Sequence, residues 1–142
     1  MDRQSLQKLT QRKREDAEAL LSAGRWSAAY YHCGYIVEAA LKACVLRYLS
    51  ESGAVFGSRD YLALLAKCWT HDLRKLIEIA GLRDELNVEI TRSPRFGAYW
   101  GLIASWNESS RYTEATEVDA RSLFEAICST TDGALPWLQR YW

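Results

Sequence analysis

The stretch RWSAAYYHCGYIVEAALKACVLRYLS, residues 25–50, decides the fold of this 142-residue chain. It contains no proline, and its apolar side chains recur at the three- and four-residue spacing of a helix. At ~1.5 Å per residue, the predicted helix is nearly 40 Å long, which is enough to cross a small domain. Its other side is rich in alanine and almost free of charge, so we predict a helix that is buried nearly all round.

A few polar groups interrupt this apolar helix, and they too recur at helical spacing. They are Tyr31, Tyr35, Glu38 and Lys42. Polar side chains on a buried helix need partners, because an unpaired polar group removed from water is costly. We therefore predict that this polar line forms either a binding site or an interface.

The length and composition indicate how many domains the chain can form and whether its overall charge attracts nucleic acid or membrane. With 142 residues, 49% of them hydrophobic, the chain can bury one core, and we expect a single domain over residues 1–142. The 18 basic and 18 acidic residues give a formal net charge of zero, which provides no general attraction to nucleic acid or membrane. Any such binding must therefore be local.

The cysteines and the first residues give the expected compartment. The four cysteines form no CxxC pair, and Cys33 and Cys44 lie on the apolar face of the central helix, so buried reduced thiols are favoured over a zinc site or a disulfide framework. The N-terminal residues carry no apolar signal segment, and no run is long enough to span a bilayer. We expect a cytoplasmic protein without metal or cofactor.

The rest of the chain also has helical patterns. An amphipathic helix from about Ser5 to Ala23, closed by Gly24, should form an antiparallel hairpin with the central helix, which Ser52 and Gly53 end. Further helices are predicted over 61–69, over 71–80 with Thr70 as N-cap, and over 94–106. A last helix is predicted to begin at 116, and Asp132, Gly133 and Pro136 should break or kink this helix. No strand pattern is present, so the predicted fold class is all-α, an antiparallel bundle of about five or six helices.

Small residues inside two of these helices predict close contacts. Gly34 lies within the central helix at a cost of ~1 kcal/mol relative to alanine, which suggests that a neighbouring helix passes close by. Gly97, Gly101 and Ala104 form a small stripe on the helix over 94–106. This stripe predicts a second close helix contact.

Three segments in order carry a family resemblance: AAYYHCGYIVEAALKACVL at 28–46, THDLRKLIEIAGL at 70–82, and WNESSRYT at 106–113. Together they resemble the HEPN domain family (higher eukaryotes and prokaryotes nucleotide-binding), over most of the chain from about Leu6 to Leu138. The resemblance implies an antiparallel helical bundle that is usually a homodimer. It also implies a toxin-antitoxin or defence setting, often with a small nucleotidyltransferase as partner.

The resemblance also implies a residue pattern by which a nuclease member can be recognised. Many members are metal-independent endoribonucleases that use an arginine, four to six residues and then a histidine near the start of a late helix. Here the matching arginine is Arg111, and position 116 holds threonine rather than histidine. Arg25 and His32 have the spacing but lie at the start of the central helix, and His71 could instead reach Arg111 through folding or across a dimer interface.

The candidate site combines the polar line with the two later segments. Glu38 and Lys42, four residues apart, form a helix pair, and Arg111 and His71 are their expected further partners. The structural alternatives are that His71 caps its own helix or bonds a neighbouring one, and that Arg111 and Tyr112 only anchor the fold, the guanidinium at a helix end or at Glu38 with the tyrosine ring packed beneath. The six tryptophans and eight tyrosines favour core filling or a dimer interface over base stacking.

Three functions remain open from the sequence. The first is a dimeric binding or interaction module that engages a nucleotide, RNA or a partner protein. The second is a metal-independent endoribonuclease in which Arg111 holds phosphate and His71, or His32, transfers the proton. The third is a structural subunit of a larger assembly. The missing histidine at position 116 ranks the binding module first.

Overall fold

The computed structural model describes residues 2–51 and 59–142, and every regular element in them is a helix. The all-α prediction is therefore confirmed. The elements are α1 Arg3–Ser22, α2 Trp26–Glu51, α3 Arg59–Lys67, α4 Leu73–Ile79, α5 Arg83–Arg92, α6 Pro94–Ala104, a 3-10 helix Glu108–Tyr112, α7 Glu117–Cys128 and α8 Ala134–Leu138.

The first two helices form the predicted hairpin. The Asp2 side chain accepts a hydrogen bond from the Ser5 backbone N–H at 2.7 Å and so caps the start of α1. At its end the chain turns through Gly24, whose φ of 69° lies in the left-handed region that only glycine adopts at no cost. The short connection folds α2 back along α1.

Helix α2 is the axis of the bundle, as its apolar pattern predicts. α1, α4, α7, α8 and the 3-10 helix all pack against it. Ile36, Val37, Leu41 and Val45 have no exposed surface, and Leu49 is 1% exposed. The predicted end of this helix at Ser52 and Gly53 lies outside the described residues.

Three details of the helices differ from the prediction. The N-cap of α4 is Asp72, which accepts hydrogen bonds from the backbone N–H groups of Arg74 and Lys75, and Thr70 instead accepts from the Asp72 N–H. The described residues hold eight α-helices, because α5 and α8 add to the six that the pattern indicates. Pro136 lies in the first turn of α8, where a missing N–H breaks no helical bond.

The glycines inside the helices have different neighbours. A Cβ at Gly34 would overlap the indole ring of Trp106, so a single side chain that follows α6, and not a helix, makes the close approach. A Cβ at Gly97 would lie 3.2 Å from Ile90 Cγ2 of α5, which is the predicted close contact. Gly101 is exposed with nothing within 4 Å, so the stripe prediction is wrong at that position.

The cysteines are free thiols. Cys33 and Cys44 are buried, and burial raises the pKa of each to about 12. Burial likewise raises the pKa of Cys128 to about 11. Within residues 2–51 and 59–142, no group of three or more His, Cys, Asp or Glu side chains could hold a metal ion. No described helix is both long enough and apolar enough to cross a membrane.

Candidate functional site

The polar line of α2 begins with two tyrosines. Tyr31 and Tyr35 lie one turn apart, and their hydroxyl oxygens are 2.5 Å from each other. Their rings meet edge to face with centroids 5.1 Å apart. Burial, and then the hydrogen bond with Tyr31, raises the pKa of Tyr35, since both favour its neutral form. The pair is thus a fixed polar contact within the helix surface.

Glu38 is the centre of the site. It is 5% exposed, and its two oxygens have different partners. Oε1 accepts a hydrogen bond from Lys42 Nζ at 2.7 Å, and Oε2 lies 2.9 Å from His71 Nδ1. A buried carboxylate needs donors at both oxygens to offset its lost hydration, and the structure supplies both. The structure thus brings together Glu38, Lys42 and His71.

His71 reaches Glu38 from the connection between α3 and α4. Asp72, not His71, caps α4, so the imidazole bonds a neighbouring helix instead. Because a carboxylate only accepts, Nδ1 carries the hydrogen in this contact and Nε2 points away from Glu38. Nε2 lies 3.8 Å from Glu108 Oε1, and the His71 side chain is 40% exposed. The carboxylate therefore orients the ring and leaves one nitrogen accessible.

Trp106 covers the tyrosine pair. Its indole ring lies 5.4 Å from the Tyr35 ring and 6.2 Å from the Tyr31 ring, measured between centroids. It is 3% exposed and occupies the space that Gly34 leaves open on α2. Its Nε1 is buried and has no hydrogen-bond partner in the part of the chain that the structure describes. Sequence reasoning did not assign Trp106 to the site, although Gly34 was the available signal for a close neighbour.

Arg111 and Tyr112 lie on the 3-10 helix and form an exposed pair. The guanidinium carbon is 4.6 Å from the centre of the Tyr112 ring, and Tyr112 is 78% exposed. The expected contact with Glu38 is wrong, because Arg111 makes no hydrogen bond or ion pair with that residue within residues 2–51 and 59–142. The Tyr112 ring does lie beneath the guanidinium, but the ring is exposed, so the pair does not anchor the core.

Arg111 nevertheless lies near the same site. The field of Tyr112, with smaller contributions from Tyr31 and Glu108, raises the pKa of its guanidinium. Glu108 and Arg111 are three residues apart on the 3-10 helix, where such side chains share an edge. The 3-10 helix thus carries Glu108, which faces His71, and Arg111, which follows it by one turn on the same edge.

Position 116, where the nuclease branch of the resembled family has its histidine, has a structural role here. The Thr116 hydroxyl accepts from the Asp119 backbone N–H at 3.1 Å, and Asp119 Oδ2 accepts from the Thr116 N–H at 2.9 Å. This capping box starts α7. The side chain at position 116 is therefore the N-cap of α7.

Arg25 and His32 are the other arginine and histidine pair that the sequence offers. Arg25 is exposed in the turn before α2. His32 Nδ1 is buried and has no hydrogen-bond partner among the described residues, and burial followed by the charge of Lys13 lowers the pKa of His32. No hydrogen bond joins Arg25 to His32 in the described parts of the chain.

Two pockets lie on either side of the Glu38 to His71 contact. A polar pocket of about 470 Å³ has in its lining His71, Arg74, Trp106, Asn107, Glu108 and Ser109. A largely apolar pocket of about 490 Å³ lies between α1, α2 and the end of α3, and Glu38 and Lys42 are part of its wall. Sequence reasoning did not identify Arg74 or Glu108, although both lie within the quoted segments.

A comparison with known families gives a match to a domain family. The model of the HEPN domain matches residues 7–133, which is most of the chain. No curated protein and no solved structure matches the chain.

Proposed function

This chain belongs to the HEPN domain family, and we propose that it is a helical module that binds a nucleotide or single-stranded RNA at the polar pocket. His71, Arg74 and Glu108 line that pocket, and Arg111 and Tyr112 lie on the same 3-10 helix as Glu108. In this proposal Glu38 does not touch the ligand. Its carboxylate accepts the hydrogen bond from His71 Nδ1 and so fixes the orientation of the imidazole ring.

The observation that carries this proposal is the exposed Arg111 and Tyr112 pair. A tyrosine that is 78% exposed contributes little to the core, and its ring already has a guanidinium over its face. Arg111 forms no ion pair in the described residues, so it is available for a phosphate group. An aromatic ring for a base and a free arginine for phosphate are what single-stranded RNA binding uses.

Single substitutions in this pair should weaken RNA binding. Tyr112→Ala is expected to reduce the affinity for a short single-stranded RNA about tenfold, because one stacked base is worth about 1–3 kcal/mol. Arg111→Gln should weaken binding and lower the slope of log affinity against log salt by about 1, the change expected for one lost phosphate contact. Fluorescence anisotropy of a labelled oligonucleotide at several salt concentrations measures both.

The matched control is Arg83→Gln. Arg83 is an exposed arginine at the start of α5 that does not line the polar pocket, and the same charge is removed. Equal loss of affinity in the Arg83 and Arg111 variants would show that only the overall charge matters. That result, or unchanged binding by Tyr112→Ala, would refute the proposed site.

A metal-independent ribonuclease is the second candidate function, and the orientation of His71 favours it. A histidine whose Nδ1 is held by a carboxylate presents Nε2 as a proton acceptor, the arrangement found in many general bases. Against it, no hydrogen bond joins Arg111 to His71 within the described residues, and Thr116 caps a helix.

RNA cleavage in excess chelator separates the two functions. The binding proposal expects no cleavage by the wild type at any protein concentration. Cleavage that persists in chelator and disappears in both Arg111→Ala and His71→Ala would reverse the ranking. Cleavage that survives both substitutions would point to a contaminating nuclease.

The proposal also includes partners and a setting. We place the protein in the cytoplasm as a homodimer, within a toxin-antitoxin or defence system and with a nucleotidyltransferase as its protein partner. The family membership supports this part of the proposal. Light scattering coupled to size exclusion tests the dimer, and a monomer at all concentrations would refute it. A protein without RNA or nucleotide affinity would instead favour the structural-subunit function.

A further inference from the structure

The apolar pocket has the size of a small-molecule site. Its volume of about 490 Å³ lies within the range of about 300–1,000 Å³ that is usual for such sites. Leu6 and Leu9 of α1, Leu46 of α2, and Leu65 and Trp69 from the end of α3 and its connection supply its apolar wall. This pocket is separate from the one to which RNA binding is assigned above.

The charged groups at the pocket favour an anion. Lys13 has its Nζ 5.9 Å from the centre of the Tyr35 ring, and it forms no ion pair among residues 2–51 and 59–142. Lys42 also lines the pocket and directs one of its hydrogens to Glu38. Both oxygens of Glu38 are already engaged, by Lys42 and His71, so this carboxylate is not free to bind a cation.

Trp69 adds an exposed apolar surface to the pocket. The residue is 84% exposed although its side chain is large and apolar. An apolar ligand that covered the ring would remove this surface from water, which is favourable in proportion to the area covered. The exposed indole and the unpaired ammonium of Lys13 belong to one pocket.

We propose that this pocket binds a small amphipathic organic carboxylate. The carboxylate pairs with the ammonium of Lys13, and the aliphatic or aromatic body lies among Leu9, Leu65 and Trp69. Binding is non-covalent. The ligand class goes beyond the proposed RNA function and does not depend on it.

Three ligands with one chain length but different head groups test the proposal. Octanoate and octylamine are titrated by calorimetry below their micellar concentrations, and octanol below its solubility limit. Octanoate is expected to bind about tenfold more tightly than octylamine, since its carboxylate pairs with the ammonium of Lys13, whereas octylamine is protonated and carries the same charge as Lys13. Lys13→Gln should remove this preference and leave octanol affinity unchanged, whereas Lys13→Arg should keep most of it.

Lys8→Gln is the matched control. Lys8 is an exposed lysine on the same helix and does not line the pocket, so its loss should leave all three affinities unchanged. Trp69→Ala should weaken all three ligands to a similar degree. Equal affinity for octanoate and octylamine, or an octanoate preference that survives in Lys13→Gln, would refute the proposal. Absence of octanoate binding at millimolar concentration would refute it as well, and this assay contains no RNA, so that result leaves the RNA site untouched.

Discussion

Gly34→Ala is expected to lower the free energy of unfolding by about 3 kcal/mol, at the upper end of the cost of overpacking a core. The added methyl group would occupy the position of the Trp106 indole, and that ring is 3% exposed and packed against Tyr31 and Tyr35. In a helix interior the same change normally stabilises by about 1 kcal/mol, so the predicted sign is opposite to helix propensity. Urea unfolding monitored by circular dichroism measures this change in the free energy of unfolding.

Two further variants isolate the cause. Gly101→Ala places a methyl group on α6, where nothing lies within 4 Å, and it should stabilise the protein by about 0.5–1 kcal/mol. In a Trp106→Ala background, the destabilisation by Gly34→Ala should disappear because the collision is absent. If Gly34→Ala costs the same with and without Trp106, the close contact is not the cause.

Glu38→Ala is expected to cost about 2 kcal/mol of stability and to release His71. Removal of one member of a fully buried ion pair typically costs about 3–5 kcal/mol. We expect less here because the side chains of Lys42 and His71 are 20% and 40% exposed and can regain water. Thermal and urea unfolding measure the stability, and nitrogen NMR of the His71 ring reports the loss of its carboxylate partner.

Glu117→Ala is the control for this change. Glu117 also pairs with a residue four positions on, Arg121 at 2.9 Å, but its side chain is 56% exposed. This variant should change stability by no more than about 0.5 kcal/mol. If Glu38→Ala and Glu117→Ala lower the stability by similar amounts, the Glu38 carboxylate does not behave as a buried member of an ion pair.

Much of the fold could be predicted because it depends on periodic patterns. Helix α2 has apolar residues on almost every face, and that composition is compatible only with a buried position. The hairpin with α1 followed from Gly24, which directly ends one pattern and precedes the next. α5 was harder to predict because it buries only Leu86 and Glu89 and thus has little apolar pattern.

The site was predictable in part, for a different reason. Glu38 and Lys42 are polar groups on a buried helix, so partners from elsewhere were required, and His71 is one of them. Trp106 and Glu108 could not be found in the same way. They lie between α6 and α7, in a segment without apolar periodicity, and their positions depend on how that segment folds over α2.

The N-cap of α4 shows the limit of local signals. Thr70 and Asp72 both have side chains that accept from backbone N–H groups, and both do so here. Only the backbone path decides which of them precedes the first helical turn.

The packing of α8 on α2 has a consequence for synthesis of the chain. Cys44 Sγ donates to the carbonyl of Leu138 at 3.5 Å, and Arg47 Nη1 donates to that of Arg140 at 3.0 Å. One side of α2 is therefore completed by residues translated about 90 positions later, after helices α1 to α7 have emerged. Until then the α1 and α2 hairpin carries exposed apolar surface, the period in which a nascent chain is most prone to aggregate and most dependent on chaperones.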